Sequence, residues 1–241
     1  MNQFRPTRFE VLPTIIKNLL IINGLVFLAQ NTIAGPTSSF SFEDIFALHA
    51  FQSDLFKPWQ IITHMFLHGD FGHIFGNMLA LWMFGSILEN VWGPNRFLLF
   101  YFLCGVGAAM IHLAILSYEL IPLTKQYHEI VASGIPQTGD VVNFLSYYNS
   151  KVNVATLGAS GAVFGILIAF VYLFPNTYIY IYFLFPIKAK WLGILYFSYE
   201  LFFALKNSAG DNVARWAHVG GAVVGFILVY IWKKQQSNKR Y

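Results

Sequence analysis

A serine and a histidine stand near the heads of two apolar runs of this sequence. Ser160 lies in the segment GASG, and His218 lies in the segment AHVGG. A serine hydroxyl is a poor nucleophile until a base takes its proton, and a neighbouring histidine is the usual base. The two residues therefore predict a nucleophile and its general base.

His73 and Asn77 head a third apolar run. Their i, i+4 spacing places both side chains on one face of a helix. A tetrahedral intermediate needs hydrogen-bond donors for its oxyanion, and a histidine N–H, an asparagine amide and a serine backbone N–H all suit this role. We therefore expect His73, Asn77 and the backbone of Ser160 to form an oxyanion hole.

The composition indicates a membrane protein. Hydrophobic residues make up 56% of the chain and charged residues only 11%, whereas about a quarter of a soluble domain is charged. Six apolar stretches approach the ~20 residues that a bilayer core requires. They predict an all-α, polytopic bundle of six transmembrane helices in a single domain over 1–241, with spans near 13–30, 71–91, 97–118, 157–174, 191–205 and 213–232.

The basic residues predict the orientation in the membrane. In a six-span arrangement, ten of the fifteen Lys and Arg residues fall on the side that holds both termini. An excess of Lys and Arg marks the cytoplasmic side, so we expect short cytoplasmic N- and C-terminal tails and a bacterial cytoplasmic membrane. Spans two, four and six then run inward together. At a rise of about 1.5 Å per residue, their polar groups share a depth of roughly 5–10 Å below the outer surface.

Three connecting segments carry further expectations. Residues 35–70 are rich in aromatic side chains, which predicts a segment lying at the membrane interface. Residues 119–156 contain Pro and Gly and predict a loop with short amphipathic pieces. Residues 177–190 fit either a strand-like edge or an interfacial turn. The pI near 9.1 does not indicate a nucleic-acid partner, because the basic residues follow the topology instead of forming one patch.

Small residues flank both candidate catalytic residues. Gly161 and Gly165 follow Ser160, and Gly221 and Gly225 follow His218. Small-xxx-small spacing allows helix backbones to approach closely, so spans four and six should touch. No acid is obviously placed to orient His218, and Glu200 in span five has no evident partner, which predicts a Ser–His dyad.

These motifs together closely resemble the rhomboid family of intramembrane serine proteases. The matching pattern runs from the histidines at 64, 68 and 73 and Asn77 through GASG to His218 with its following glycines. The resemblance implies a rhomboid-type bundle in which Ser160 is the nucleophile, His218 the base, and His73 and Asn77 the oxyanion hole. It also implies transmembrane protein substrates in the lipid bilayer, cleavage near the outer face, a fifth span that gates substrate entry, and no cofactor.

Two positions depart from the family pattern. Trp59 is followed by Gln60 where many members have arginine, so the contact that this arginine makes in the first loop is lost or replaced. Phe164 stands where bacterial members often have a tyrosine that stacks on the catalytic histidine. The ring stacking should survive this change, and only the hydroxyl is lost.

Other functions remain as alternatives. His64 and His68 have the i, i+4 spacing of zinc ligands, but without a third ligand we expect no metal and assign them hydrogen bonds within the first loop. A non-proteolytic chaperone or binding module of the same fold would lack Ser160 or His218. A small transporter would need polar residues spread through the bilayer depth. The sequence leaves the substrate and the oligomeric state open.

The topology predicts how engineered cysteines react. In a Cys104→Ala background, a cysteine at Ser133 should react with an impermeant thiol reagent added to intact cells. A cysteine at Ser237 should react only after the cells are opened. Outside-only labelling at Ser237 would mean the inverted orientation, and outside labelling at both sites would mean an odd number of spans.

Overall fold

The computed structural model describes residues 9–33, 41–134, 139–181, 184–206 and 214–238. Ten α-helices and one β-hairpin are found in these ranges. The helices are α1 (Thr14–Ile33), α2 (Phe42–Phe46), α3 (Gln60–Thr63), α4 (Phe71–Ala80), α5 (Ser86–Trp92), α6 (Pro94–Ser133), α7 (Gly139–Val152), α8 (Ser160–Leu173), α9 (Ala189–Lys206) and α10 (Arg215–Asn238). A 3-10 turn (His64–Phe66) follows α3, and a π-helical turn (Leu81–Gly85) joins α4 to α5.

The chain is a multi-pass helical membrane protein. Among the described residues, four helical segments are long and apolar enough to cross a bilayer, namely α1, α4 with α5, α6 and most of α10. Helix α8 is apolar but has only 14 residues, and α9 carries Lys190, Glu200 and Lys206 among its 18 residues. The count of six membrane spans therefore stays a prediction.

The region after the third span is helical, so the prediction of a loop over 119–156 is wrong. Helix α6 continues to Ser133, and its 40 residues give a length of about 60 Å, twice the bilayer core. Helix α7 packs against this extension, where the rings of Tyr127 and Tyr148 stack with centroids 4.3 Å apart. Buried Leu120 and Val152 complete this small core. Residues 135–138 lie outside the described residues.

Within the segment 177–190, two short strands pair in antiparallel, which decides between the two alternatives left open by the sequence. Residues 182 and 183 between them lie outside the described residues. Strand β1 (Tyr178–Ile181) pairs with β2 (Phe185–Lys188), and Tyr178 lies opposite Lys188. The β2 strand leads directly into α9. The fold is thus mostly helical, with one short hairpin that the all-α prediction did not include.

The first loop is fixed by buried side-chain hydrogen bonds. The Gln60 amide is fully buried, and its Nε2 donates to the carbonyl oxygens of Asp44 and Leu55 at 3.1 and 2.9 Å. Its Oε1 accepts the Lys57 N–H at 3.1 Å. Gln60 stands where many members of the family have arginine, and its amide makes hydrogen bonds within the first loop. The contact of that arginine is therefore replaced and not lost. Residues 35–40 of the predicted interfacial segment lie outside the described residues.

One end of the bundle brings together the start of α1 and the end of α5. Both Glu89 carboxylate oxygens accept backbone N–H groups at the start of α1, from Ile15 and Ile16 at 2.9 Å each. The first N–H groups of a helix have no partner within it, so Glu89 caps α1 across the bundle. At the same end, Arg96 at the start of α6 lies over the ring of Trp232 in α10, 4.2 Å from its centroid.

Helices α8 and α10 are in backbone contact, as the small-residue pattern predicts. A methyl group added to Gly221 would overlap the carbonyl oxygen of Gly161. One added to Gly225 would lie 2.6 Å from the Cα of Gly165. Neither glycine can accept a side chain unless the two helices separate.

Gly221→Leu and Gly161→Leu should each destabilise the protein by about 1–3 kcal/mol or more, because an overpacked interface must move backbone atoms. Thermal unfolding in detergent measures the effect. Gly24→Leu in α1 is the matched control, since no atom lies within 4 Å of the position of its added Cβ. Equal melting temperatures in all three variants would contradict the close approach.

Candidate active site

Ser160 is the first residue of α8 and not the fourth residue of a span that begins at 157. Helix α8 starts without a side-chain cap, so the N–H groups of its first turn have no partner within the helix. The helix is about 21 Å long at 1.5 Å per residue, which is shorter than a bilayer core of ~30 Å. A helix this short can begin below the membrane surface, which is the depth at which we expect Ser160.

His218 lies in the first turn of α10 and faces Ser160. The Ser160 hydroxyl donates to His218 Nε2 at 2.8 Å. On its other side, the histidine ring is stacked on Phe164, with ring centroids 4.5 Å apart and an angle of 11° between the planes. The stacking expected of Phe164 is therefore confirmed. Phe164 is four residues after Ser160, so one face of α8 supplies both the hydroxyl and the ring that holds the imidazole.

The other imidazole nitrogen of His218 contacts an acid, so the prediction that no acid is placed to orient it is wrong. His218 Nδ1 lies 3.0 Å from Oε2 of Glu200 in α9. The same oxygen accepts a hydrogen bond from Arg215 Nη1 at 3.3 Å. Sequence reasoning identified Glu200 as an intramembrane carboxylate but not its partner. The residue type alone could have indicated that a partner exists, because a carboxylate buried in an apolar helix requires one.

His73 lies beside Ser160 across Gly158. A methyl group on Gly158 would lie 2.8 Å from His73 Nε2 and 3.6 Å from the Ser160 Oγ. Gly158 also has a φ of +124°, which side chains disfavour. The glycine is thus required both by its backbone conformation and by the nearby imidazole. Its N–H donates to the carbonyl of His64 at 2.9 Å, which ties this turn to the first loop.

The position of the ring proton on His73 follows from its neighbours in the loop. The Gly69 N–H donates to His73 Nδ1 in a long hydrogen bond of 3.5 Å. Because Nδ1 is the acceptor, the ring proton lies on Nε2, the nitrogen beside Ser160. The start of α4 is held in turn by Asp70, whose carboxylate accepts the His73 N–H at 2.8 Å.

Asn77 lies one turn further along α4 and is buried. Among the described residues, no acceptor lies within hydrogen-bonding distance of its buried Nδ2. An unpartnered buried amide donor is costly, and groups of this kind call for an explanation in function. A developing oxyanion would give this donor an acceptor.

The other two histidines of the first loop have structural surroundings. His64 Nδ1 lies 2.7 Å from the Gln60 carbonyl, which confirms its hydrogen bond within the loop. The same prediction is not confirmed for His68, whose ring nitrogens have no hydrogen-bond partner of ordinary geometry among the described residues. This ring instead packs edge-on against His73, with centroids 5.1 Å apart. Burial lowers the pKa of each of these two imidazoles to about 4. Both rings are therefore neutral at physiological pH.

A small pocket lies beside Ser160, on the side of the first loop and α6. Its lining includes His64, Thr156, Gly158 and Ser160, together with small residues of α6 such as Gly105 and Ala108. Thr156 is fixed from α6 by His112, whose Nε2 lies 3.0 Å from its hydroxyl. The walls of the serine site are thus built from the first loop, α6 and α8.

The family model of the Rhomboid domain matches residues 55–235, which is more than half of the chain. The chain belongs to the rhomboid family. The match includes the four residues predicted from the sequence and Glu200.

Rhomboid relatives come from both organelles and bacteria. RHOMBOID-like protein 12, mitochondrial, of Arabidopsis thaliana is 29% identical over 168 residues, covering 69% of this chain and 44% of that protein. Rhomboid protein 1, mitochondrial, of Saccharomyces cerevisiae is 28% identical over 183 residues, covering 71% and 40%. Rhomboid protease AarA of Providencia stuartii is 28% identical over 222 residues, covering 87% and 69%.

The chain spans only about half the length of the mitochondrial rhomboid relatives. It covers 44% and 40% of the two mitochondrial proteins named above and 52% of a third. Because mitochondrial and bacterial rhomboids are both similar to it, the similarity does not support the expectation of a bacterial cytoplasmic membrane.

The site geometry predicts unequal effects for the two oxyanion-hole candidates of this rhomboid. Loss of one such donor costs about 10²–10³ in kcat in other enzymes. We expect a loss toward that range for His73→Ala, whose Nε2 adjoins Ser160, and a milder loss for Asn77→Ala. Turnover of a model transmembrane substrate by purified protein measures both. Full turnover in both variants would mean that these residues only hold helices together.

Proposed function

We propose that this rhomboid is an intramembrane serine endopeptidase that cleaves transmembrane protein substrates near the outer membrane face. The observation that carries the proposal is the 2.8 Å hydrogen bond from the Ser160 hydroxyl to His218 Nε2. A non-proteolytic protein of this fold has no need for a serine and a histidine in this contact. Proteins similar to the chain are named as proteases, including Rhomboid protease GluP of Bacillus subtilis, 27% identical over 219 residues.

In the proposed reaction, His218 Nε2 takes the proton of the Ser160 hydroxyl as Oγ attacks the carbonyl carbon of the scissile peptide bond. The carbonyl oxygen becomes an oxyanion. The Ser160 N–H, His73 Nε2–H and the Asn77 amide supply its hydrogen bonds. When the C–N bond breaks, His218 passes its proton to the departing amine, and an acyl-enzyme remains.

Hydrolysis of the acyl-enzyme repeats these steps with water. Water attacks the ester carbon, His218 Nε2 takes a water proton, and the C–O bond to Ser160 then breaks as the proton returns to Oγ. Both stages use only residues of this chain and require no cofactor. His73, Asn77 and the start of α8 can serve the oxyanion in each stage without moving, because each is fixed by its own helix.

The position of the site in the bundle supports cleavage near one membrane face. Ser160, His218 and His73 all lie in the first turn of their helices, whereas the opposite end of the bundle holds the start of α1 with Glu89 and the Arg96–Trp232 contact. The excess of basic residues on the side of the termini makes that side cytoplasmic in the proposal. A substrate segment would then be cut near its outer end.

Ser160→Ala and His218→Ala should each abolish cleavage of a model transmembrane substrate while leaving the melting temperature near that of the parent. Residues that act as one unit give non-additive losses, so the double variant should be no worse than either single variant. A fluorophosphonate probe should label the parent at Ser160, as peptide mass mapping would show. Appreciable turnover by Ser160→Ala would rule out the serine-protease mechanism.

A further inference from the structure

Glu200 is a buried carboxylate in the middle of α9, a helix whose other residues near it are mostly apolar. Only 4% of its surface is exposed. The free energy cost of burying a carboxylate is large unless hydrogen bonds and opposite charge compensate it. Glu89, the other buried glutamate of the described residues, has a structural explanation in the capping of α1. In the described part of the chain, the side-chain contacts of Glu200 lead instead to the active site.

The contacts of Glu200 form a line that ends at the nucleophile. Its Oε2 lies 3.0 Å from His218 Nδ1, and His218 Nε2 lies 2.8 Å from the Ser160 Oγ. An ionised carboxylate only accepts hydrogen bonds, so Nδ1 carries the ring proton. The lone pair of Nε2 then faces the serine hydroxyl, which is the tautomer that a general base needs.

The groups around the His218 imidazole indicate what the Glu200 carboxylate contributes. Arg215 donates to the same Glu200 oxygen at 3.3 Å, and the guanidinium also lies over the rings of Tyr199 and Phe203 of α9. Tyr196 of α9 packs against Phe164. Of these groups, Glu200 alone is an acid, so it alone can offset the positive charge that His218 acquires with the serine proton.

We propose that Glu200 is a positioning residue that holds His218 in its productive tautomer, so that the catalytic unit is Ser160, His218 and Glu200. The inference rests on the proposed protease function. Glu200 keeps its negative charge throughout, and the proton moves only between Ser160, His218 and the departing amine. The three residues come from α8, α10 and α9, so the base is oriented only while α9 is packed against α10.

Helix α9 is held by few buried side chains. Ala189, Gly193, Glu200 and Ala204 are buried, while Trp191, Leu195, Tyr199, Phe202 and Leu205 are exposed. The hydrogen bonds of Glu200 are therefore a main polar link between α9 and the catalytic helices. A displacement of α9 would separate the carboxylate from His218 and would lower the rate of the chemical step.

Glu200→Gln and Glu200→Met test the proposal, because both replacements keep the length of the side chain. Glutamine keeps a hydrogen-bond acceptor but loses the charge, and methionine loses both. We expect kcat to fall at least about tenfold for Glu200→Gln and further for Glu200→Met, with the ~10⁴-fold loss of an amide-substituted triad as the limit. KM should change by less than about twofold, and the rate of fluorophosphonate labelling should fall together with kcat.

Gly193→Ala is the matched control for α9 packing. Its added methyl group would lie 2.8 Å from Val171 Cγ2 of α8, so it disturbs the α8–α9 contact and leaves Glu200 unchanged. All rates are taken per active site, titrated with the fluorophosphonate, so that unfolded protein does not enter kcat. If Glu200 only holds α9 in place, the loss of activity should follow the fall in melting temperature in all three variants. If Glu200 positions His218, the kcat of Glu200→Gln should fall far more than the change in its melting temperature would explain.

Wild-type kcat per active site in both Glu200 variants, or losses that follow stability as in Gly193→Ala, would overturn the proposal. Turnover by Ser160→Ala, expressed per mole of folded protein because this variant has no serine to titrate, separates this outcome from failure of the proposed function. If Ser160→Ala is inactive while Glu200→Gln has full kcat, only the role of Glu200 is wrong. If Ser160→Ala retains turnover, the protease mechanism itself is wrong.

Discussion

The close approach of α8 and α10 is the constraint on which the rest of the site depends. A Ser–His hydrogen bond of 2.8 Å requires two helix backbones to lie nearer to each other than ordinary side chains allow. Gly161 and Gly165 on one helix, and Gly221 and Gly225 on the other, remove the side chains at the points of contact. In a membrane, where lipid tails are as apolar as the helices, such van der Waals contact contributes much of the free energy of association. The same glycines therefore stabilise the bundle and form the site.

The surrounding elements fix polar groups at one level of the bundle. Leu48 and Thr156 exchange two backbone hydrogen bonds of 2.8 Å, and the carbonyl of His64 accepts the Gly158 N–H at 2.9 Å. These bonds hold the first loop against the turn that precedes Ser160. Because α8 begins only at Ser160 and starts without a side-chain cap, the N–H groups of its first turn have no partner within the helix, which supports the proposed oxyanion hole. In many enzymes that stabilise an oxyanion, rigidly placed hydrogen-bond donors supply the largest part of the rate enhancement.

The polar network is also balanced in charge. Arg215 and His218 share one carboxylate oxygen of Glu200, and the stacked ring of Phe164 restricts rotation of the imidazole. Charges buried in this way persist only when partners compensate them. The network links α9 to the two helices that carry Ser160 and His218, so the packing of α9 and the orientation of the His218 imidazole are coupled in the structure.

Much of this arrangement was accessible from the sequence, because it depends on local chemistry and periodicity. Apolar length predicted a multi-pass helical membrane protein, the spacing of glycines predicted the contact of α8 and α10, and residue types in short motifs identified Ser160, His218, His73 and Asn77 as site candidates. The helical continuation of α6 was missed because Pro122 and nearby polar residues resemble a loop, whereas packing against α7 stabilises a helix there.

The partner of Glu200 was decided by tertiary structure alone. Helical periodicity states which residues share a face, but not which neighbouring helix that face meets. The distance of 3.0 Å between Glu200 and His218 depends on how α9 lies against α10, which no single segment encodes. The sequence determined which residues are the candidates for catalysis, and the packing of three separate helices determined which of these side chains are in contact.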